Sequence, residues 1–159
     1  MYLRIIWLII FTYIFSAFNI YAVYSKDENI KLTPKQSTSG KWGYVDISGK
    51  YKIFPQFETA SNFREGLALV SVQKKYGFID TSGKPLILPQ FDDAKSFSDG
   101  LAAVMIYDQQ TDRKWGYIDK TGNFAIKPQF EDASDFSQNT AKVLINGNWK
   151  TINKSGDII

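Results

Sequence analysis

The residues best suited to chemistry in this chain sit at one recurring position. Asp46, Asp80 and Asp119 each stand four residues after Trp42, Tyr76 and Trp115, and Asn153 stands four after Trp149. Carboxylates paired about 5–10 Å apart hydrolyse glycosides, and carboxylates clustered in one loop bind calcium. This register supplies one acid per repeat instead. Asn153 keeps the turn-forming side chain and loses the charge, so the preferred reading is an oxygen that closes a turn on its own backbone. Trp42, Tyr76, Trp115 and Trp149 could form a stacking ladder for sugars or bases. The preferred reading is a column packing each unit on the next, with Phe57, Phe91, Phe130, Phe63, Phe97 and Phe136 as core.

Composition narrows the chemistry further. Among 159 residues there is no Cys and no His. That excludes disulfides, thiolate nucleophiles, Ser-His-Asp triads and imidazole metal ligands. Catalysis would rest on Asp, Glu, Lys, Tyr or Ser, and no catalytic, cofactor-binding or metal residue is assigned. Nineteen Lys and Arg against sixteen Asp and Glu give a net charge of +3. The lysines are spread among the acids, without the basic stripe of a nucleic-acid binder, so no nucleic-acid partner is expected.

The elements that must carry these positions are repeated. Lys41-Trp42-Gly43-Tyr44-Val45-Asp46 returns as Lys75-Tyr76-Gly77-Phe78-Ile79-Asp80 and as Lys114-Trp115-Gly116-Tyr117-Ile118-Asp119. A shortened copy begins at Trp149, so the steps are 34, 39 and 34 residues. Pro-Gln-Phe recurs at 55–57, 89–91 and 128–130. Residues 41–73 and 75–107 agree at 16 of 33 positions.

Each unit reads as β. Trp42–Asp46 is an aromatic and β-branched strand, Asp46–Gly49 a turn, and Tyr51–Phe54 a returning strand that Pro55 ends. Phe57–Phe63 reads as a turn or one helical turn. Leu67–Gln73 is a third strand joined to the next aromatic strand by a hairpin, and Asn146-Gly147 is a strong hairpin signal in the third unit. One face of the third strand, represented by Ala68/Val70, Ala102/Val104 and Ala141/Val143, reads as buried. The opposite face carries Lys142 in one copy and reads as partly wet. Ile53, Ile87 and Ile126 mark the inside of the returning strands.

These motifs resemble the WG (KWG) β-repeat family over about 41–159, with departures at Tyr76, Asn139-Thr140 and Lys150. The resemblance implies an all-β tandem array of short antiparallel meander units, each about 34 residues, and it implies no particular reaction. The expected organisation is units at 41–74, 75–113 and 114–147, with a half unit at 148–159 as a C-terminal cap.

The array is expected behind an address. Residues 5–24 carry no charge and follow Arg4, with the densest apolar run at 5–18. Residues 1–25 therefore read as a signal peptide, with an uncleaved membrane anchor as the alternative. Residues 26–40 read as a linker without assigned structure. The expected location is periplasmic, cell-surface or secreted, with membrane contact only through residues 1–25 if they are retained.

The extra five residues of the second step lie in Tyr107, Asp108, Gln109, Gln110, Thr111, Asp112 and Arg113. Insertions in repeat arrays map to loops that often bind partners, which makes this segment the candidate partner-binding loop. The expected function is a non-catalytic binding or scaffolding module for a protein or an envelope glycan, without a cofactor. The alternatives are a carbohydrate-active enzyme using carboxylates alone and a membrane-tethered accessory subunit.

Overall fold

Glycine and proline fix how the strands of each unit meet. In the computed structural model, which describes residues 31–109 and 112–159, the strand that carries Trp42, Tyr76 or Trp115 pairs with a returning strand at a bulge. At that crossing a Cβ on Gly43, Gly77 or Gly116 would lie 2.4–2.6 Å from the carbonyl oxygen of Ile53, Ile87 or Ile126. No side chain fits there. The second residue of the repeat is glycine because two backbones touch.

Fourteen strands are described: β1 Thr33–Gln36, β2 Trp42–Val45, β3 Tyr51–Phe57, β4 Thr59–Ala60, β5 Ala68–Val72, β6 Lys75–Ile79 and β7 Pro85–Phe91, followed by β8 Asp93–Ala94, β9 Ala102–Asp108, β10 Asp112–Ile118, β11 Phe124–Phe130, β12 Asp132–Ala133, β13 Thr140–Ile145 and β14 Asn148–Asn153. They form four antiparallel sheets in the orders β1-β2-β3, β4-β5-β6-β7, β11-β10-β9-β8 and β12-β13-β14. No helix occurs among the described residues, and the protein is all-β.

The second, third and fourth sheets each straddle a boundary between repeats. The second sheet takes β4 and β5 from the end of the first repeat, and β6 and β7 from the start of the second. The hairpin between repeats is therefore the centre of a sheet, and the link within a repeat crosses from one sheet to the next.

Three apolar cores lie between successive sheets. Tyr44, Ile53 and Phe57 of the first sheet meet Ala68, Val70 and Ile79 of the second. Phe78, Ile87 and Phe91 meet Ala102, Val104 and Ile118 of the third. Tyr117, Ile126 and Phe130 meet Ala141, Val143 and Ile152 of the fourth. Burying one such side chain stabilises by about 1.5–3 kcal/mol, and each core exists only where two sheets meet. The returning isoleucines also touch the turn of the following sheet: Ile53 packs against Gly83, Ile87 against Gly122 and Ile126 against Gly156.

Several expectations change. Residues 33–36 of the linker form β1, which pairs with β2 from Thr33↔Val45 to Gln36↔Trp42. This is the place that β5 takes beside β6. Pairing through backbone groups needs no apolar alternation, so a polar segment can fill it. Phe57–Phe63 contains β4 and no helical turn, held by Glu58 N–H to the Ser71 carbonyl and Ser61 N–H to the Leu69 carbonyl, both 2.9 Å. Pro55 does not end its strand: β3 continues to Phe57, which pairs with Trp42. It is an edge strand, where a missing N–H breaks no ladder.

The opposite face of the third strand is also not uniformly wet. Ala103 is buried in the core shared with the fourth sheet and Met105 is buried as well, while Lys142 at the position of Ala103 is exposed. Stacking decides this, since the described residues place no further sheet over the fourth. Residues 1–25 and 26–30 lie outside the described residues.

Candidate functional site

Every recurring aspartate is consumed by its own turn. Asp46 Oδ1 accepts from Ser48 N–H at 2.9 Å, Ser48 hydroxyl at 2.6 Å and Lys50 N–H at 3.1 Å. Asp80 repeats this with Ser82 and Lys84, and Asp119 with Thr121 and Asn123. These bonds favour the charged form. The hydroxyl bond from Ser48, Ser82 or Thr121 is the main reason each carboxyl sits below the ordinary aspartate range. Asn153 Oδ1 accepts the equivalent amides of Ser155 at 2.9 Å and Asp157 at 3.0 Å. The four positions share one turn geometry. Among the described residues, no three acidic side chains gather in a way that would hold a metal ion.

A second set of acids follows Pro-Gln-Phe. Glu58 accepts Lys74 N–H at 2.8 Å, Asp92 accepts Tyr107 N–H at 2.9 Å, and Glu131 accepts Asn146 N–H at 2.7 Å and Gly147 N–H at 3.1 Å. Each ties the short strand to the base or tip of the neighbouring hairpin. The support is needed because Gln73, Lys74 and Asn146 have φ of 50–60° at the tips, a conformation costly for L-residues. Sequence reasoning missed this role. The signal was the acid after each Pro-Gln-Phe.

A third set links successive sheets. Glu65 accepts Gly100 N–H at 3.1 Å, and Asp99 accepts Asn139 N–H at 2.9 Å. Lys120 pairs with Glu65 at 3.1 Å. Asn139 takes a glycine position at φ 63°, which Asn tolerates better than most residues.

The inserted segment lengthens a hairpin. β9 and β10 have seven residues each, against five in β5 and β6, and their pairing runs out to Asp108↔Asp112. Tyr107 is 54% exposed and Arg113 is exposed. Gln109 lies in the turn, while Gln110 and Thr111 lie outside the described residues. Tyr107 and Arg113 line a cleft of about 390 Å³ with Asp92, Asp93 and Met105. Lys75 Nζ lies 2.6 Å from Asp92 Oδ1. That bond, and then the Tyr107 amide, holds the Asp92 carboxyl below its usual range. The hairpin is anchored at Tyr107, and its pairing continues one step further, to Asp108↔Asp112.

The repeat aromatics are not a buried column. Trp42, Tyr76 and Trp115 are half-buried at the margins of the three cores, with Lys95 Nζ 5.3 Å from the Trp115 ring centroid. The deep aromatics are Tyr44, Phe78, Tyr117, Phe97 and Phe136, two residues after the expected column or behind it. Tyr44 and Tyr117 donate their hydroxyls to the Ser61 and Ser134 carbonyls at 2.8 and 2.9 Å, and burial raises both phenols well above their ordinary range.

Stacked antiparallel sheets that share cores across repeat boundaries define a β-repeat module. The particular repeat is shown by the family model of the WG containing repeat, which matches at residues 42–76, 76–108 and 115–149. The chain belongs to that family. No curated protein and no solved structure matches it.

Proposed function

We propose that this chain is an exported, non-catalytic binding module that engages a protein partner through the β9–β10 hairpin. The observation that carries the reading is the lengthening of this hairpin, with Tyr107 and Arg113 exposed as a cross-strand pair where Asp92 anchors it. A tyrosine and an arginine presented on a rigid ribbon match the residue types that dominate protein interfaces. The engagement of Asp46, Asp80 and Asp119 in turns supports binding over carboxylate catalysis. Export rests on the uncharged segment behind Arg4, and intact mass of the secreted chain tests its removal.

The decisive experiment replaces Tyr107–Arg113 with Asn-Gly, the tip already used at Asn146-Gly147. Full chain and variant are each used to retain envelope proteins and glycans. The expected result is a protein retained by the first and lost by the second, with unchanged urea midpoints. Identical retention would remove the hairpin from consideration, and retention of glycans alone would overturn the protein reading.

A further inference from the structure

The fourth sheet departs from the repeat pattern at residues that come together in space. Lys142 and Thr151 face each other across β13 and β14, where the third sheet has Ala103 and Tyr117. Leu144 and Trp149 are the next pair on that face. Lys150 holds the position of Gly43, Gly77 and Gly116; among the described residues the return beside β14 is a single bridge, Ile152↔Ile158. Together Ser134, Lys142, Trp149, Lys150 and Thr151 line a cleft of about 520 Å³.

Among the described residues no sheet covers this face, and contact with water accounts for Lys142 and Thr151. It does not account for Trp149. Solubility disfavours an indole there, yet Trp149 is 53% exposed, whereas its counterparts Trp42 and Trp115 are half-buried. The two lysines form no ion pair among the described residues. Ser134 already donates to the Asp135 carbonyl and accepts from Lys142 N–H, so it shapes the cleft floor. Thr151 adds a hydroxyl.

We infer that this cleft binds an acidic saccharide, with Trp149 covering the apolar face of a pyranose ring and Lys142, on the same face of the sheet, meeting its carboxylate. An exposed aromatic plane with a few convergent polar groups fits a small-ligand site, and the volume lies within the usual range. The Lys142 ammonium, which forms no ion pair among the described residues, favours an anionic ligand through charge-assisted hydrogen bonds. A second copy of the chain fits poorly, because Lys142 and Thr151 replace the small and aromatic residues that let interior sheets close on one another. The site is separate from the β9–β10 hairpin and stands without it.

Calorimetric titration of the full chain tests this with a hexamer of galacturonic acid as probe, and with hexaglutamate and hexathymidylate as anionic controls. The acidic sugar should bind at least about tenfold more tightly than either control, and Trp149→Ala or Lys142→Ala should each weaken it by about tenfold or more. Trp149→Phe should retain part of the binding, which separates stacking from misfolding. No binding, equal binding of either control, or affinity indifferent to Trp149→Ala would overturn the assignment. So would a concentration-dependent dimer that Trp149→Ala abolishes.

Discussion

Ala103 and Lys142 hold the same position in two sheets that meet different surroundings. Ala103 is 1% exposed because the fourth sheet lies over it, whereas Lys142 stands in solvent. Tyr117 and Thr151 make a milder contrast one strand away, as do Leu101 and Thr140, both threonines being half-buried. The inner faces of the two sheets agree, with Ala102/Val104/Ile118 in one and Ala141/Val143/Ile152 in the other. A repeat in this array therefore has one face set by the motif and one face set by its place in the stack.

Exchanging the two environments breaks this comparison most severely. Ala103→Lys places a charge between the third and fourth sheets, where desolvation costs several kcal/mol. The expected loss is about 3 kcal/mol or more, seen as a collapse of the urea midpoint. Lys142→Ala should change stability by less than about 0.5 kcal/mol. An Ala103→Lys chain with the parent midpoint would mean that the two sheets separate at little cost, contrary to the shared core at Ala103, Tyr117 and Val143.

Glycine gives the next largest contrast. A methyl on Gly116 would lie 2.6 Å from the Ile126 carbonyl and 2.7 Å from Pro128 N, both backbone atoms that cannot swing aside. Gly116→Ala should cost about 2–3 kcal/mol, as overpacking does. At the equivalent position of the fourth sheet a lysine is already present, and Lys150→Ala should stay within about 0.5 kcal/mol. Equal costs at the two positions, measured by urea unfolding, would show that the backbone crossing is not what selects glycine.

What the sequence could convey follows the same division. Features fixed within one motif were legible: the strand positions, the inward Ile53, Ile87 and Ile126, and the turn role of the aspartates beside Asn153. Features created by stacking were not. Leu69, Ala103 and Lys142 share one position of the repeat, and the wet face that Lys142 suggests belongs, among the described residues, to the fourth sheet. β1 escaped notice because Thr33–Gln36 contributes backbone pairing and little apolar surface. β4, β8 and β12 have two residues each, too few for any periodicity to register. The half-buried repeat aromatics were placed too deep, because a recurring Trp marks a sheet margin as readily as a centre. In the candidate loop the length change was legible, while the anchoring by Asp92 needed the fold to bring residues 92 and 107 together.

The turns supply the gentlest contrast, three charged and one neutral. Asp46, Asp80 and Asp119 have carboxyls held below the ordinary value of 3.8, first by the bond from Ser48, Ser82 or Thr121. A carboxyl with a depressed folded pKa contributes stability that is complete above its unfolded pKa and is lost as pH falls through the folded value. The parent chain should therefore keep a constant Tm from neutral pH down to about 5 and lose it progressively below about 4. The turns are exposed, so water moderates the effect. Asn153 shows that an amide closes the same turn through its oxygen, without a titrating proton. Asp46→Asn/Asp80→Asn/Asp119→Asn should accordingly flatten the acid limb of the Tm–pH curve while leaving the neutral plateau nearly in place. Part of the slope should survive, because Asp92 is held below its usual range by Lys75 and still titrates in the triple variant. An acid limb identical to the parent's would assign acid sensitivity to other carboxyls and leave the three aspartates with the role of Asn153 alone.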